Sequence, residues 1–325
     1  MILLLLMMSG IISWAIAGPV NWLRDAFDNT LDTAEDIHID LEHLEHMMYG
    51  MPSNNTGSKV AEWDETAGMN PEELGEYAEG DILFPMIMMR SGLSSTTARW
   101  PGGIIPYMIS PWFDTTQYQL IMEAMEDFHR NTCIRFVPYT GDTNDYIRIT
   151  AGNTGCWSSV GRIGGRQDVN LQTPGCVIKK GTVIHELMHA VGFIHEQSRY
   201  DRDDYVAIQW QNIKPGSDIN FKKAAAGTTD PFGVKYDYGS VMHYSSNAFS
   251  ANGRPTIIPK ENKGFLDFFD MLQGRSKPTL GQREGFSKLD IRKIRKMYRC
   301  DSSRSYRQTR ENLRFNISKN FPWFW

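Results

Sequence analysis

Apolar residues fall at 37, 41, 44 and 48 with acids between them, and this three-and-four spacing predicts an amphipathic helix over residues 31–48. A second helical period covers 117–130 and puts Leu120, Ile121, Ala124, Met125 and Phe128 on one face. Elsewhere the alternation shortens to two: Ile104–Ile109, 133–137 and Tyr146–Thr150 read as strands. The Gly-rich stretch from Cys156 to Cys176 reads as loop, with one short strand at 169–171. A further helix opens near Lys180-Gly181-Thr182 and stops at Gly192, which can take the positive φ that ends a helix. The chain beyond is less regular until a helix at 287–298, where Ser287 with Asp290 forms an N-cap signature. Residues 52–58, rich in Asn, Ser and Gly, read as a loop. Together these elements predict an α+β fold, a mixed sheet packed with helices.

The 325 residues suffice for one large domain and extra segments, and 41% hydrophobic with 12% aromatic content supports a real core. The first 17 residues, MILLLLMMSGIISWAIA, read as a secretory signal that lacks a basic start, with Ala15-Ile16-Ala17 as the cleavage site before Gly18. That run is short for a membrane span, and no later stretch is apolar enough to be one. The expected location is therefore secreted and extracellular, with storage in secretory granules before release. Charge divides the remainder. Residues 18–90 carry 16 acidic and 3 basic groups, net −13, while 91–325 are net +9. The acidic part reads either as a solvated linker or as an inhibitory propeptide held partly by charge. All four cysteines lie in the basic part, and behind a signal they imply two disulfides with three pairings open. Residues 301–325 carry five basic residues, end in Phe-Pro-Trp-Phe-Trp and read as a disordered tail. Asn54 and Asn316 head glycosylation sequons. His38, His43 and His46 lack the spacing of a metal site and read as surface residues, and His129 reads as a surface or satisfied core residue.

The chemistry lies in HELMHAVGFIHEQSRYDRDDY, residues 185–205. His185 and His189 are four apart and share a helix face. Glu186 stands between them, within reach of a water on a shared metal. After Gly192 the chain turns, so that His195 arrives from another direction. Three neutral imidazoles with a fourth position left to water describe a catalytic zinc rather than a structural one. The extended pattern H-E-x-x-H-x-x-G-x-x-H is a metzincin signature. Met242, in Ser240-Val241-Met242-His243-Tyr244, falls where a methionine turn would underlie the metal.

With CIRFVP at 133–138, these stretches resemble the astacin family of zinc endopeptidases over roughly residues 91–300. The resemblance implies a metzincin-type catalytic domain over 91–300, with two subdomains flanking a zinc cleft and a mixed five-stranded sheet with long helices. It implies disulfides Cys133–Cys300 and Cys156–Cys176, worth on the order of 5 and 3 kcal/mol by chain-entropy reasoning. It makes Glu186 the general base, Tyr244 a further zinc ligand that swings away to stabilise the oxyanion, and Met242 a support. It places a zymogen ligand at Asp81 in Glu79-Gly80-Asp81, with Ala78 where the family often has an aromatic residue. It places activation between Arg90 and Ser91, cut by a trypsin-like protease, after which the Ser91 ammonium pairs with Glu196. A simpler partner for Glu196 is Arg199. In similar enzymes an edge strand near 169–171 pairs with an extended substrate.

The expected partners are protein or peptide substrates, with no nucleic acid. No basic group follows Tyr244 directly, so no acidic preference beside the scissile bond is read there, although the +9 body favours acidic substrates at long range. LGQREGFS at 280–287 most resembles hatching enzymes, which makes egg envelope a candidate substrate. Three rival classes are weaker. A matrixin would silence itself with a propeptide cysteine, and none precedes Cys133. A catalytically silent binding protein on this fold would usually have lost a histidine or the glutamate. A structural zinc would need a fourth Cys or His ligand.

Overall fold

The computed structural model describes residues 38–85, 96–225, 232–260 and 280–300. The signal at 1–17, the Arg90-Ser91 bond, Asn316 and the 301–325 tail lie outside them. No described helix is long and apolar enough to cross a membrane.

The N-terminal segment departs from expectation. Residues 38–48 form a strand, β1 (His38–Asp40), and a 3₁₀ helix at Glu42–Met48 rather than one α-helix, while 31–37 lie outside the described residues. Leu41, Leu44 and Met48 are nonetheless buried. Spacings of three and four serve a 3₁₀ turn packed on a surface as well as an α-helix. After β2 (Tyr49–Gly50) comes α1 (Asn54–Ala61), where a loop was expected. Ser53 caps it, and burial of Thr56 and Val60 outweighs the weak helix propensity of Asn, Gly and Ser. The described part of the segment closes with β3 (Phe84–Pro85), parallel to β2, and β4 (Thr96–Ala98) pairs antiparallel with β1.

The main sheet is built from β5 (Ile104–Ile109), β6 (Arg135–Pro138), β7 (Tyr146–Thr150), β8 (Cys156–Ser158) and β9 (Arg166–Leu171), in the order β6-β5-β7-β9-β8. Only the β8–β9 pair is antiparallel. Strand β8 was not anticipated, and β9 is longer than expected and interior, so β8 forms the edge. Alternation puts Ile147 and Ile149 of β7 fully into the core. Helix α2 (Thr115–Asn131), opened by an Asp114–Gln117 capping box, buries Ile121, Ala124, Met125 and Phe128 against the sheet and α3 (Lys180–Val191). Side chains satisfy the last two carbonyls of α3: Trp100 Nε1–H donates to Ala190 O (2.8 Å) and Tyr298 O–H to Val191 O (2.6 Å).

Beyond α3 the described residues hold short 3₁₀ turns, a two-stranded ladder, β10 (Val206–Ile208) with β11 (Ile257–Pro259), and α4 (Lys288–Met297). This part has its own core of Val206, Phe221, Tyr244, Phe249 and Ile257. Disulfides join Cys133 to Cys300 and Cys156 to Cys176.

His129 is a satisfied, mostly buried histidine. Its Nε2 accepts the Phe136 N–H at 2.9 Å and ties α2 to β6. Burial, with Arg135 adding to it, lowers its pKa to about 4. Neutral in the fold and titrating near 6.5 when unfolded, it stabilises fully above pH 6.5, and that contribution disappears as pH falls towards 4. The loss is at most about 3 kcal/mol. The melting temperature of wild type should therefore fall more steeply than that of His129→Gln between pH 6.5 and 4. Parallel curves would remove His129 from the acid response.

Candidate metal centre

Helix α3 supplies the first two histidines one turn apart, with His185 and His189 ring centroids separated by 4.8 Å. Gly192 (φ 123°) ends the helix where a Cβ would meet Ile39 Cδ1 at 2.6 Å. The reversal returns His195 to 5.1 Å from His185 and 4.8 Å from His189. All three rings are buried.

Each ring is held by its Nδ1. His185 Nδ1 lies 2.8 Å from Val241 O, His189 Nδ1 2.7 Å from Phe193 O, and His195 Nδ1 2.6 Å from Glu79 Oε2. These oxygens only accept, so Nδ1 carries the proton and Nε2 keeps its lone pair. The three Nε2 atoms converge on the Asp81 carboxylate. Oδ2 is 3.0 Å from His185 and 3.3 Å from His195, and Oδ1 is 3.3 Å from His189. Gly80 (φ 90°) lets the chain aim Asp81 inward, and a Cβ there would meet Phe249 Cζ at 2.9 Å.

Four buried donor atoms within 4.8 Å of one another therefore face inward with lone pairs. Without a cation this is repulsive. Burial opposes charge on His195, yet Asp81 and Glu79 raise its pKa to about 10, a measure of how strongly the pocket calls for positive charge. Zinc–ligand bonds of about 2.05 Å at tetrahedral angles put donor atoms about 3.3 Å apart. The Asp81–histidine separations match, and the set fits zinc.

Glu186 is fully buried, and neither of its oxygens has a hydrogen-bond partner among the described residues. Burial raises its pKa well above the usual range, with Asp81 and Glu72 adding and Arg283 opposing. Tyr244 is fully buried, its ring 4.6 Å from His195 and its O–H donating to Glu79 O at 2.6 Å. Met242 is buried below, and its carbonyl accepts the Glu196 N–H at 3.0 Å. The turn is clamped by α4: Asp290 accepts from Ser240 Oγ (2.6 Å) and Val241 N–H (2.9 Å). Asp290 thus reaches His185 through Val241, a role beyond the N-cap.

Glu196 is buried and already paired. Oε1 accepts from Arg199 Nη1 (3.1 Å) and the Asp237 N–H (2.9 Å), and Oε2 pairs with Lys293. Ser91 lies outside the described residues, so here the simpler partner, Arg199, is joined by a lysine that sequence did not suggest.

The N-terminal segment fills the space before the histidines. Ser158 N–H donates to Asp81 O (2.9 Å) and Leu83 N–H to Ser158 O (3.0 Å), so residues 81–83 run parallel to the β8 edge. Glu73 accepts from Ser245 N–H at 2.6 Å. Glu72 forms a fully buried ion pair with Arg283, whose Nη1 donates to His243 O at 3.2 Å. A basic group therefore does reach the methionine turn, from a stretch noted only for its resemblance. His43 is a further correction: its side chain is 5% exposed and lies 3.3 Å from Glu79 rather than on the surface. Asn54 is exposed at the start of α1.

The model of the peptidase family described as Astacin matches residues 92–299. Zinc metalloproteinase nas-13 of Caenorhabditis elegans is 43% identical over 235 residues, 72% of this chain and 48% of that protein. Zinc metalloproteinase nas-4 of the same organism is 38% identical over 283 residues, 84% of this chain and 80% of its own length. The chain thus spans about half of nas-13 and most of nas-4. Among solved structures, High choriolytic enzyme 1, a hatching enzyme zinc-protease from Oryzias latipes, is 40% identical, with a TM-score of 0.53 over 63% of this chain and 94% of that one. On these matches and on the metal centre that carries them, the chain belongs to the astacin family of peptidases.

Proposed function

We propose that the chain is the precursor of a secreted zinc endopeptidase. In this reading residues 1–17 are the signal, 18–90 an inhibitory propeptide, 91–300 the catalytic domain and 301–325 a basic tail. The observation that carries it is Asp81 seated among three histidine Nε2 atoms, in the place a substrate or water would need. Cleavage after Arg90 by a trypsin-like protease would free the segment. The exposed Asn54 is suited to glycosylation.

His185, His189 and His195 would hold zinc, with Asp81 in the precursor. Zinc, when bound, supplies a Lewis acid that polarises a peptide carbonyl and makes water nucleophilic near neutral pH. Glu186 takes the proton from the attacking water and later delivers it to the leaving amine. Its oxygens have no hydrogen-bond partner among the described residues, which leaves their lone pairs available for that transfer. Tyr244 releases Glu79 O when the segment departs, and its O–H is then free to donate to the developing oxyanion.

Once Glu72 leaves, Arg283 loses the carboxylate it is paired with, beside the methionine turn. That favours an acidic substrate side chain beside the scissile bond. Arg283→Met should reduce kcat/KM on peptides acidic at that position by about 10–10²-fold relative to neutral ones. An unchanged ratio would exclude Arg283 as the reader. The hatching-enzyme neighbour makes egg-envelope protein a candidate substrate.

The test is casein cleavage before and after trypsin treatment, with chelator and added zinc. Activity only after cleavage, lost with chelator and restored by zinc, is expected. A processed, zinc-loaded protein without activity would instead be a silent binding protein.

A further inference from the structure

The three ring Nδ1–H groups are not held alike. Those of His185 and His189 donate to main-chain carbonyls, Val241 O and Phe193 O, which stay with the histidines after cleavage at Arg90. That of His195 donates to the side chain of Glu79, which leaves with the N-terminal segment. Glu79 is 3% exposed and fixed on every side. Ser198 Oγ donates to its other oxygen, His43 Nε2 lies 3.3 Å from that oxygen, and Tyr244 O–H donates to its carbonyl. Asp81, two residues on, faces the opposite edge of the same ring, at 3.3 Å from Nε2. The segment therefore grips His195 from both sides.

We propose that Glu79 makes the N-terminal segment a zinc-retention element as well as a plug: by accepting the His195 Nδ1–H it strengthens that ring as a ligand, so the precursor holds zinc more tightly than the processed enzyme. This rests on the zinc-site reading above and adds to the direct ligand role of Asp81. A carboxylate behind a metal-bound imidazole fixes its tautomer and raises its basicity, and losing such a partner typically costs about 10–100-fold in metal affinity. Charge points the same way. Three neutral imidazoles and the buried carboxylates of Asp81 and Glu79 carry two negative charges, which one divalent cation balances. Departure of the segment removes both charges and the His195 partner at once. Zinc is then captured during folding of the precursor and exchanges faster after processing.

The test uses the full-length chain made uncleavable by Arg90→Ala, alone or with Glu79→Gln, Glu79→Ala or Phe84→Ala. Zinc Kd is read by competition with a chelating indicator, and the His195 ring N–H by nitrogen-labelled histidine NMR. Phe84 is buried with Leu41, Leu44 and Ile82, so Phe84→Ala loosens the segment without touching His195. Glu79→Ala should raise Kd by about 10–100-fold and lose the hydrogen-bonded N–H signal, and Glu79→Gln, which still accepts but carries no charge, should fall between. Phe84→Ala should keep the signal and stay within about threefold of the parent, well short of the loss of a ring partner. Equal Kd values for the parent and both Glu79 variants would overturn the proposal while leaving the zinc site intact. So would a Phe84→Ala loss as large as that of Glu79→Ala. A parent protein that binds no zinc would overturn the zinc reading itself, and this proposal with it.

Discussion

Processed Glu186→Ala protein is expected to keep one zinc per chain and to lose about 10²–10⁴-fold in kcat/KM, the usual contribution of a general acid–base group. The two halves of that expectation have separate physical causes. Glu186 is not among the atoms that converge on Asp81, so the donor set is complete without it. Its oxygens are buried with no partner among the described residues, which is costly and purposeless unless they handle a proton in the reaction. For the same reason the substitution should leave folding nearly untouched, since no side-chain hydrogen bond to a described residue is lost. Parallel zinc, melting and peptide-hydrolysis assays check all three points. Near-normal turnover in the variant would remove Glu186 from the chemistry, and loss of zinc would show that it belongs to the donor set instead.

The second large effect belongs to Asp81. In a precursor kept intact by Arg90→Ala, Asp81→Ala should raise peptide hydrolysis by about 10²–10³-fold over the same precursor with Asp81. Removing one partner from a buried charged contact costs about 3–5 kcal/mol, and that energy biases the segment towards its open state. Full activity is not expected, because Glu72 with Arg283, Glu73 with Ser245 and the ladder to Ser158 still hold the segment down. A variant as silent as its parent would transfer latency from the metal contact to those remaining ties.

Legibility followed locality. Helix α2 was readable because Asp114–Gln117 capping and a clean apolar face point the same way, and α4 because Ser287 caps it. The three histidines and Glu186 were readable because one helix and one glycine set their geometry. Helix α1 was not, since its stability comes from contacts far along the chain, such as Gln172 Nε2 donating to Gly57 O. The short strand β8 hid in a Gly-rich stretch because its pairing is tertiary. His43 looked like a surface residue because nothing nearby in sequence announces a carboxylate at position 79. Glu79 itself meets His195 across 116 positions, and Arg283 meets Glu72 across 211. No local periodicity carries such pairs, although a lone acid beside the Gly80-Asp81 turn was a signal that could have been followed.

The most direct measurement of the central claim is a zinc-edge anomalous diffraction map of the uncleaved precursor. One zinc is expected, bonded at about 2.0–2.2 Å to Nε2 of His185, His189 and His195 and to an Asp81 oxygen. A map with no metal at those three rings, or with zinc bound there and Asp81 turned away from it, would contradict the account.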